Sequence, residues 1–306
     1  MKNVIVTGGT GFIGSWLIQE LLNNGIMVTA IVRQKNRLLS DFSNHPLITV
    51  IEKSIENICT DDFELMNKYD AFFHLGWSGV SPESKNILDK QLANIKISLH
   101  ALEICKKIEC KKFIASGTVA EYVFCTDIMN LNAKQSPNDL YGATKVSVHY
   151  FLEVRARQLN QFFNWIIIPS TFGERRNDNN IITYTIRTLL RKELPQYGSL
   201  EQMWDFLYVE EVVRAIRLIG EYGKKGKVYG IGSGQYKPLK EYIETIRDLI
   251  DPALPLGIGM LPSMSKQTFS SCVDIKDLIQ DTGFTPNIDF KTGIIKTIRY
   301  LKHQEL

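Results

Sequence analysis

A glycine-rich turn near the amino terminus constrains the fold of this chain more than any other feature. Gly8, Gly9, Gly11 and Gly14 separate an apolar run, residues 4–6, from a helix-like run. The spacing fits G-x-G-x-x-G from Gly9 and G-x-x-G-x-x-G from Gly8. Such a turn lets the backbone approach a diphosphate, which then rests on the N–H groups of the helix. Glycine triplets also form ordinary tight turns, but the first strand–helix junction favours dinucleotide binding.

The first half of the chain alternates short apolar runs with longer helical patterns. This order predicts the α/β class, with a Rossmann-like doubly wound parallel sheet. The apolar runs are continuous, as expected for strands that are covered on both faces. We predict strands at residues 3–7, 27–32, 48–52, 71–75, 112–116 and 164–168, and helices at 11–24, 85–107 and 141–159.

The regular alternation of predicted strands and helices ends after Pro169. A polar loop, residues 174–180, precedes a helix through about residue 191, and residues 206–209 and 227–231 are predicted to return to the sheet as strands. Short helices and loops that contain Pro or Gly follow from residue 238. We therefore predict a dinucleotide-binding Rossmann domain, residues 1–170 plus about 205–234, and a smaller, discontinuous substrate-binding lobe, residues 171–204 and 235–306.

Charge and cysteine content exclude several other classes of protein. The net charge of +3 over 306 residues is too small to indicate nucleic acid or an acidic membrane as a partner. No signal peptide or C-x-x-C pair is visible, and the histidines lack metal-ligand spacing. We expect a cytoplasmic protein without a metal, with five reduced cysteines: Cys59, Cys105, Cys110, Cys125 and Cys272.

Two further patterns indicate chemistry at the predicted cleft. Tyr141 and Lys145 stand four residues apart at the start of a predicted helix, so both side chains share one face. A phenol has a pKa of about 10, and an ammonium group nearby favours its ionised form. Ser116 and Thr118 follow a predicted strand whose carboxyl end meets the cleft. The simpler alternatives are an exposed Tyr, a solvated Lys and hydroxyls that cap a strand end.

Together these features resemble the extended short-chain dehydrogenase/reductases of the NAD-dependent epimerase/dehydratase family, in particular its nucleotide-sugar 4-ketoreductases and epimerases. The glycine turn, the hydroxyl-bearing strand and the segment from Tyr141 to Lys145 agree in order and spacing. Residues 205–215, 227–234 and 283–286 are similar to later segments of the family.

The resemblance implies Tyr141 as general acid/base, Lys145 as modulator of its pKa and ligand of the cofactor ribose, and Thr118 as the catalytic hydroxyl. The implied cofactor-binding residues are Gly8, Thr10, Gly11, Phe12, Ile13, Arg33, Arg37, Leu75, Ser116, Tyr141 and Lys145. The implied substrate-binding residues are Ser78, Thr118, Ser170, Arg175 and Arg176.

Departures from the family pattern bear on the reaction. The family's dehydratases carry Asp-Glu after the catalytic Thr, where this chain has Val119 and Ala120, and Glu121 comes one residue late. Dehydration is therefore disfavoured. Arg33 and Arg37 follow the second strand in place of an acidic residue, which favours NADP over NAD. We predict reduction of a 4-keto-6-deoxyhexose nucleotide, with an NAD-dependent 4-epimerase that retains its cofactor as the alternative.

The substrate side matches the family less well. Trp204 replaces the Arg that often contacts the substrate diphosphate, and Ser170 replaces an Asn. Trp204 either packs the lobe interface, which we favour, or stacks on a base. Positive charge for the diphosphate is available from Arg175, Arg176, Arg187 or Lys266.

Three further hypotheses concern single residues and partners. His74 ends a predicted strand beside the cleft, where a hydrogen bond to backbone is favoured over catalysis. The amphipathic helices at 85–107 and 141–159 resemble those that pair across a homodimer, although packing on the sheet explains them equally well. A catalytically silent dinucleotide sensor is a rival, but such proteins often lose the Tyr or the Lys that this chain keeps.

Overall fold

The computed structural model describes residues 1–64, 68–122, 131, 134–176, 178–262 and 272–305. Its strands are β1 Asn3–Thr7, β2 Met27–Val32, β3 Ile48–Glu52, β4 Ala71–His74, β5 Lys112–Thr118, β6 Phe162–Ile168, β7 Ser170–Phe172, β8 Met203–Trp204, β9 Phe206–Tyr208, β10 Val228–Gly230 and β11 Lys237–Pro238. Its α-helices are α1 Phe12–Asn23, α2 Ser40–Ser43, α3 Leu88–Lys107, α4 Leu140–Gln158, α5 Ile181–Leu190, α6 Val209–Tyr222, α7 Leu239–Ile250, α8 Lys276–Thr282 and α9 Phe290–Glu305.

A parallel seven-stranded sheet organises the first two thirds of the chain. Its order is β10-β6-β5-β4-β1-β2-β3, so β1 pairs with β2 on one side and with β4 on the other. Chain order reverses at β1, and in such sheets ligands bind outside the carboxyl ends of the strands at this switch point. The predicted α/β, Rossmann-like fold class is confirmed.

Side chains that alternate along each strand belong to two apolar clusters, one on each face of the sheet. Val4 and Val6 of β1 point to the face covered by α1 and α6, where Leu17 and Ile216 are buried. Ile5 points to the other face, which is covered by α3 and α4. Because successive residues of a strand point to opposite sides, continuous apolar runs are what two covered faces require.

A third apolar cluster lies apart from the main sheet and joins β7 and β9 to three helices. Phe172 and Tyr208 meet Ile186 of α5, Ile243 of α7 and Ile298 of α9. The prediction that residues 206–209 return to the main sheet was wrong: β9 pairs in parallel with β7. The edge of the main sheet beside β6 is taken by β10 instead. The last helix, at 16 residues, is also longer than predicted.

Most predicted boundaries agree with the structure within a few residues, and two differences affect the cleft. β5 extends two residues beyond its predicted end, to Thr118, so both hydroxyl-bearing residues belong to the strand. α3 begins at Leu88 because residues 81–87 form turns, in which the Lys85 N–H donates to the Ser81 carbonyl over 2.8 Å. Within the described part of the chain, no helix has the length and apolar character to cross a membrane.

Candidate functional site

The glycine-rich turn closes tightly between β1 and α1. Gly8 has φ +77°, a left-handed conformation, and its carbonyl accepts a 2.9 Å hydrogen bond from the Gly11 N–H. A Cβ on Gly14 would lie 2.1 Å from the Gly8 oxygen, so a side chain there would push the turn away from the helix. No described side chain caps α1, which leaves its first N–H groups available. This cradle fits the diphosphate of a dinucleotide.

One cleft of about 1030 Å³ begins at this turn and passes over the carboxyl ends of the central strands. Of the cofactor- and substrate-binding residues that the resemblance implies, all of which are described, only Ser170 does not line the cleft; Pro169 and Thr171 do so instead. Ser170 pairs opposite Phe206 in the small sheet, and neighbouring strand residues face opposite ways. The predicted residues that line the cleft are Gly8, Thr10, Gly11, Phe12, Ile13, Arg33, Arg37, Leu75, Ser78, Ser116, Thr118, Tyr141, Lys145, Arg175 and Arg176.

The start of α4 orients Tyr141 toward the cleft. The Asp139 carboxylate caps the helix by accepting from the Gly142 N–H over 2.7 Å, and Lys85 pairs with the same carboxylate over 2.9 Å. A hydrogen bond joins the side chains of Tyr141 and Thr118. Burial nevertheless raises the pKa of Tyr141 to about 12. The phenol is therefore held in its protonated form.

Lys145 contacts the end of β5 rather than the phenol. Its Nζ donates to the Ser116 carbonyl over 2.6 Å and lies 3.4 Å from the Ser116 hydroxyl oxygen. The same nitrogen is 5.9 Å from the centre of the Tyr141 ring. Burial lowers the pKa of Lys145, while the Glu121 carboxylate raises it. The net shift of the Tyr141 pKa is upward because burial dominates it. The role of Lys145 as modulator of that pKa stays a prediction.

Trp77 is a cleft residue that the sequence did not single out. The centre of its ring lies 3.6 Å from Lys145 Nζ. The same ring meets the Tyr141 ring edge-on, with ring centroids 6.1 Å apart. Its indole nitrogen donates to the Gln91 carboxamide oxygen over 3.2 Å. The available signal was its place two residues after Leu75, where the loop from β4 enters the cleft.

Glu121 and His74 lie near the cleft but are buried in the protein core. Glu121 is fully buried beneath β5 and does not line the cleft, whereas Val119 does. His74 is buried between the hydroxyls of Thr7, at 3.1 Å, and Ser98, at 3.0 Å. Burial lowers the pKa of His74 to about 3, so the ring stays neutral. Its partners are side-chain hydroxyls rather than the predicted backbone group.

Arg33 and Arg37 lie at the cofactor end of the cleft. Arg33 follows β2 directly, and Arg37 ends the short 3-10 helix Lys35–Arg37. Both side chains are exposed and line the cleft. The Lys35 N–H, between them, donates to the Glu52 carboxylate over 2.8 Å and anchors the segment to the end of β3.

Arg175 and Arg176 differ in their contacts. Arg176 donates to both carboxylate oxygens of Asp178, over 2.7 and 2.8 Å, and to the Thr171 carbonyl, so its charge is compensated. Arg175 stacks on Trp16 of α1, with its guanidinium 4.3 Å from the ring centre, and its buried Nη1 has no partner among the described residues. Of the two, Arg175 has the donor available for an anion.

The other candidate contacts for the substrate lie elsewhere. Arg187, on α5, does not line the cleft, and Lys266 lies outside the described residues. Trp204 packs against Phe206, with ring centroids 6.0 Å apart. Cys59, Cys105 and Cys110 are free thiols, and Cys125 lies outside the described residues.

Comparison with known proteins identifies the family of this chain. The model of the NAD dependent epimerase/dehydratase family matches residues 4–232. The chain belongs to this family. The resemblance noted in its sequence motifs is thereby confirmed, and the glycine cradle fits the dinucleotide for which the family is named.

Relatives of several activities match over nearly the whole chain. A dTDP-4-dehydro-6-deoxyglucose reductase of Escherichia coli is 26% identical, with 98% of each chain covered. A dTDP-glucose 4,6-dehydratase of Haemophilus influenzae is 25% identical, again with 98% of each covered. A UDP-N-acetylglucosamine 4-epimerase from Methanobrevibacter ruminantium, solved with UDP-N-acetylmuramic acid, superposes with a TM-score of 0.87 at 26% identity, covering 99% of each chain.

The tight approach of Gly14 to Gly8 yields a test of the cradle. We expect Gly14→Ala to weaken binding of NADPH and NADH by about 100-fold, because losing charge-assisted N–H bonds to phosphate costs about 3 kcal/mol. Isothermal calorimetry measures both affinities. Gly25→Ala, at the other end of α1, is the control: an added Cβ meets nothing within 4 Å there. It should cost about 1 kcal/mol of stability through its left-handed backbone and leave binding intact. Equal binding by both variants would contradict the assignment.

Proposed function

We propose that this protein is an NADP(H)-dependent oxidoreductase that reduces the 4-keto group of a nucleoside-diphosphate 6-deoxyhexose, in deoxysugar biosynthesis. The observation that carries the proposal is the hydrogen-bonded pair of Thr118 and the protonated Tyr141, in the same cleft as the glycine cradle. A protonated phenol beside a hydroxyl suits the carbonyl oxygen of a substrate that must gain a proton. The match to a 4-dehydro-6-deoxy sugar reductase over nearly the full length supports the substrate class.

Each catalytic residue has a separate role in this reaction. When bound, the reduced nicotinamide supplies a hydride to the carbonyl carbon. Thr118 and Tyr141 hold the carbonyl oxygen, and Tyr141 donates its proton to that oxygen so that no uncompensated alkoxide remains. Lys145 holds its ammonium group between Ser116 and the ring of Trp77, close to where the family places the cofactor ribose.

We propose the division of the chain that follows from this chemistry. Residues 1–170 with about 205–234 bind the dinucleotide, and residues 171–204 with 235–306 bind the sugar nucleotide. The separate apolar cluster around Phe172 and Ile243 supports a lobe with its own core. Arg175, with its unpartnered donor, is the better of the two arginines for an anionic ligand.

Two other reactions occur in this family, dehydration and 4-epimerisation. Dehydration fits the cleft less well than reduction, and 4-epimerisation is the alternative. Val119 lines the cleft after Thr118, and an apolar side chain there has no proton to exchange, which disfavours dehydration. A 4-epimerase uses the same Tyr and Lys but retains its cofactor. The similarity to a UDP-N-acetylglucosamine 4-epimerase supports this alternative.

Consumption of NADPH tests the proposed reaction. Absorbance is followed against dTDP-, CDP-, UDP- and GDP-linked 4-keto-6-deoxyhexoses. We expect oxidation of NADPH with one of them and transfer of deuterium from labelled NADPH into the sugar product. No oxidation across the panel, together with NAD that copurifies with the protein, would contradict the reductase and support the epimerase.

The substrate found in this way allows a test of Tyr141. We expect Tyr141→Phe to lower kcat by about 100- to 10,000-fold, because the substitution removes the proton donor. Tyr150→Phe is the matched control on the same helix, since the Tyr150 hydroxyl contacts only Gln135 among the described residues. Retained turnover in Tyr141→Phe would exclude the assigned role.

The preference for NADP gives a prediction for the two exposed arginines. Replacing Arg33 and Arg37 together by Ala should weaken NADPH binding at least about 10-fold and leave NADH binding unchanged, because each charge-assisted hydrogen bond to the 2′-phosphate contributes about 1.5 kcal/mol or more. Calorimetric titration with both dinucleotides measures the ratio. Lys35→Ala, in the same 3-10 helix, is the matched control. An equal loss for both dinucleotides would remove the basis for NADP.

We propose that the protein forms a homodimer through α3 and α4. Leu88 and Leu92 of α3 and Phe151 and Val154 of α4 are about half exposed, on two helices that pack against each other. A shared apolar face of this kind favours an isologous dimer. We expect Phe151→Asp to shift sedimentation velocity toward the monomer, while Met260→Asp, equally exposed in the other lobe, leaves it unchanged. A monomeric parent protein would contradict the dimer.

A further inference from the structure

A buried carboxylate lies directly beneath the candidate catalytic residues. Glu121 belongs to the 3-10 turn Val119–Tyr122 that follows β5, and its side chain is fully buried. One carboxylate oxygen accepts from the Thr118 N–H over 2.9 Å. The Trp165 indole nitrogen lies 3.3 Å from both carboxylate oxygens. A buried carboxylate needs such hydrogen-bond donors because no water solvates it. One of these donors is the backbone of Thr118, the residue that carries the proposed catalytic hydroxyl.

The neighbouring strands leave a space that this carboxylate fills. A Cβ on Gly117 would lie 2.5 Å from a Glu121 oxygen and 2.3 Å from the Trp165 indole nitrogen. Glycine between Ser116 and Thr118 therefore lets the carboxylate and the indole approach the backbone of β5. His149 stacks on the Trp165 ring, with centroids 4.9 Å apart and planes 1° apart, and holds the indole in place.

We propose that Glu121 is a positioning residue for the reduction: it holds Thr118 at the end of β5 and, through its negative charge, keeps Lys145 in the ammonium form. The proposal rests on the proposed function for its catalytic consequence, and the charge interaction can be measured without any substrate.

The charged groups that face Lys145 and Tyr141 make Glu121 the relevant anion. On α4, His149 is neutral because burial lowers its pKa to about 4, and on β4 burial keeps His74 neutral. Asp139, at the start of α4, is paired with Lys85. Lys145 Nζ lies 5.9 Å from the centre of the Trp165 ring, whose indole nitrogen contacts the Glu121 carboxylate. Burial lowers the pKa of Lys145 and Glu121 opposes this effect, whereas Glu121 and Asp139 add to the effect of burial in raising the pKa of Tyr141.

These directions determine the effect of neutralising Glu121. Without the negative charge, the pKa of Lys145 and the pKa of Tyr141 both fall. Reduction needs the phenol protonated and the lysine charged, so both changes move the alkaline limb of kcat/KM toward lower pH. A nearby opposite charge typically changes a pKa by about 1 unit or more, and we expect a displacement of that size.

The experiment compares Glu121→Gln with the parent protein. The Lys145 signal is followed by NMR of the 13C-labelled ε-methylene groups against pH, and is assigned by its loss in Lys145→Met. The pH dependence of kcat/KM is measured with the substrate from the panel. We expect Lys145 to titrate about 1 pH unit lower in Glu121→Gln, with the same displacement of the alkaline limb.

Glu211→Gln is the matched control. Glu211 is also buried, but it pairs with Arg214 and accepts from the N–H groups of Asn287 and Ile288, away from the cleft. It should lower stability and leave the Lys145 titration and the pH profile unchanged. A stability loss alone therefore cannot imitate the expected result.

Trp165→Phe provides a second variant that keeps the carboxylate. Burial raises the pKa of Glu121 to about 7, and the indole N–H is one of the groups that oppose this rise. Removing the indole N–H therefore favours the neutral acid and should displace the Lys145 titration in the same direction, by less. An unchanged Lys145 titration in both variants would overturn the proposal. A displaced titration in a protein that reduces no sugar nucleotide would support the role of Glu121 toward Lys145 and overturn only the reductase.

Discussion

The parallel pairing of β1 with β2 on one side and with β4 on the other is the constraint on which the rest of the structure depends. Because chain order reverses at β1, the loops that follow these strands diverge and leave a crevice at the carboxyl edge of the sheet. The glycine turn lies at this point, and it leaves the first N–H groups of α1 available for a diphosphate. The short approach of Gly14 to the Gly8 carbonyl keeps strand, turn and helix in contact.

Burial of ionisable groups is the second constraint on the site. Desolvation raises the pKa of Tyr141 and lowers the pKa of Lys145, so each group favours its neutral form. A buried opposite charge favours the ammonium ion, and Glu121, beneath the strand, raises the pKa of Lys145. The chemistry of the cleft therefore depends on a residue that does not line it. Such an arrangement explains why Gly117 and Trp165 belong to the site although neither is a catalytic group.

Local patterns predicted much of the sheet and of the cleft. Strand positions followed from continuous apolar runs, and Tyr141 and Lys145 followed from helical spacing. The partner of Lys145 did not, because contact with the Ser116 carbonyl depends on where β5 ends relative to α4. Residues 206–209 were correctly predicted to be extended but were given the wrong partner, since the edge beside β6 is open to any strand that arrives there.

The sequence by itself determined the alternation of strands and helices, the diphosphate cradle and the identity of the candidate acid, because these depend on residue type and on spacing within one element. Only the tertiary structure decided that Ser170 is outside the cleft wall, that Trp77 lies against Lys145, that Arg176 is paired and that Glu121 lies under Thr118. These contacts join residues from different elements, and the desolvation that sets their charge is a property of the assembled core. The residue pattern of one segment does not show which atoms of other segments will bury its ionisable groups.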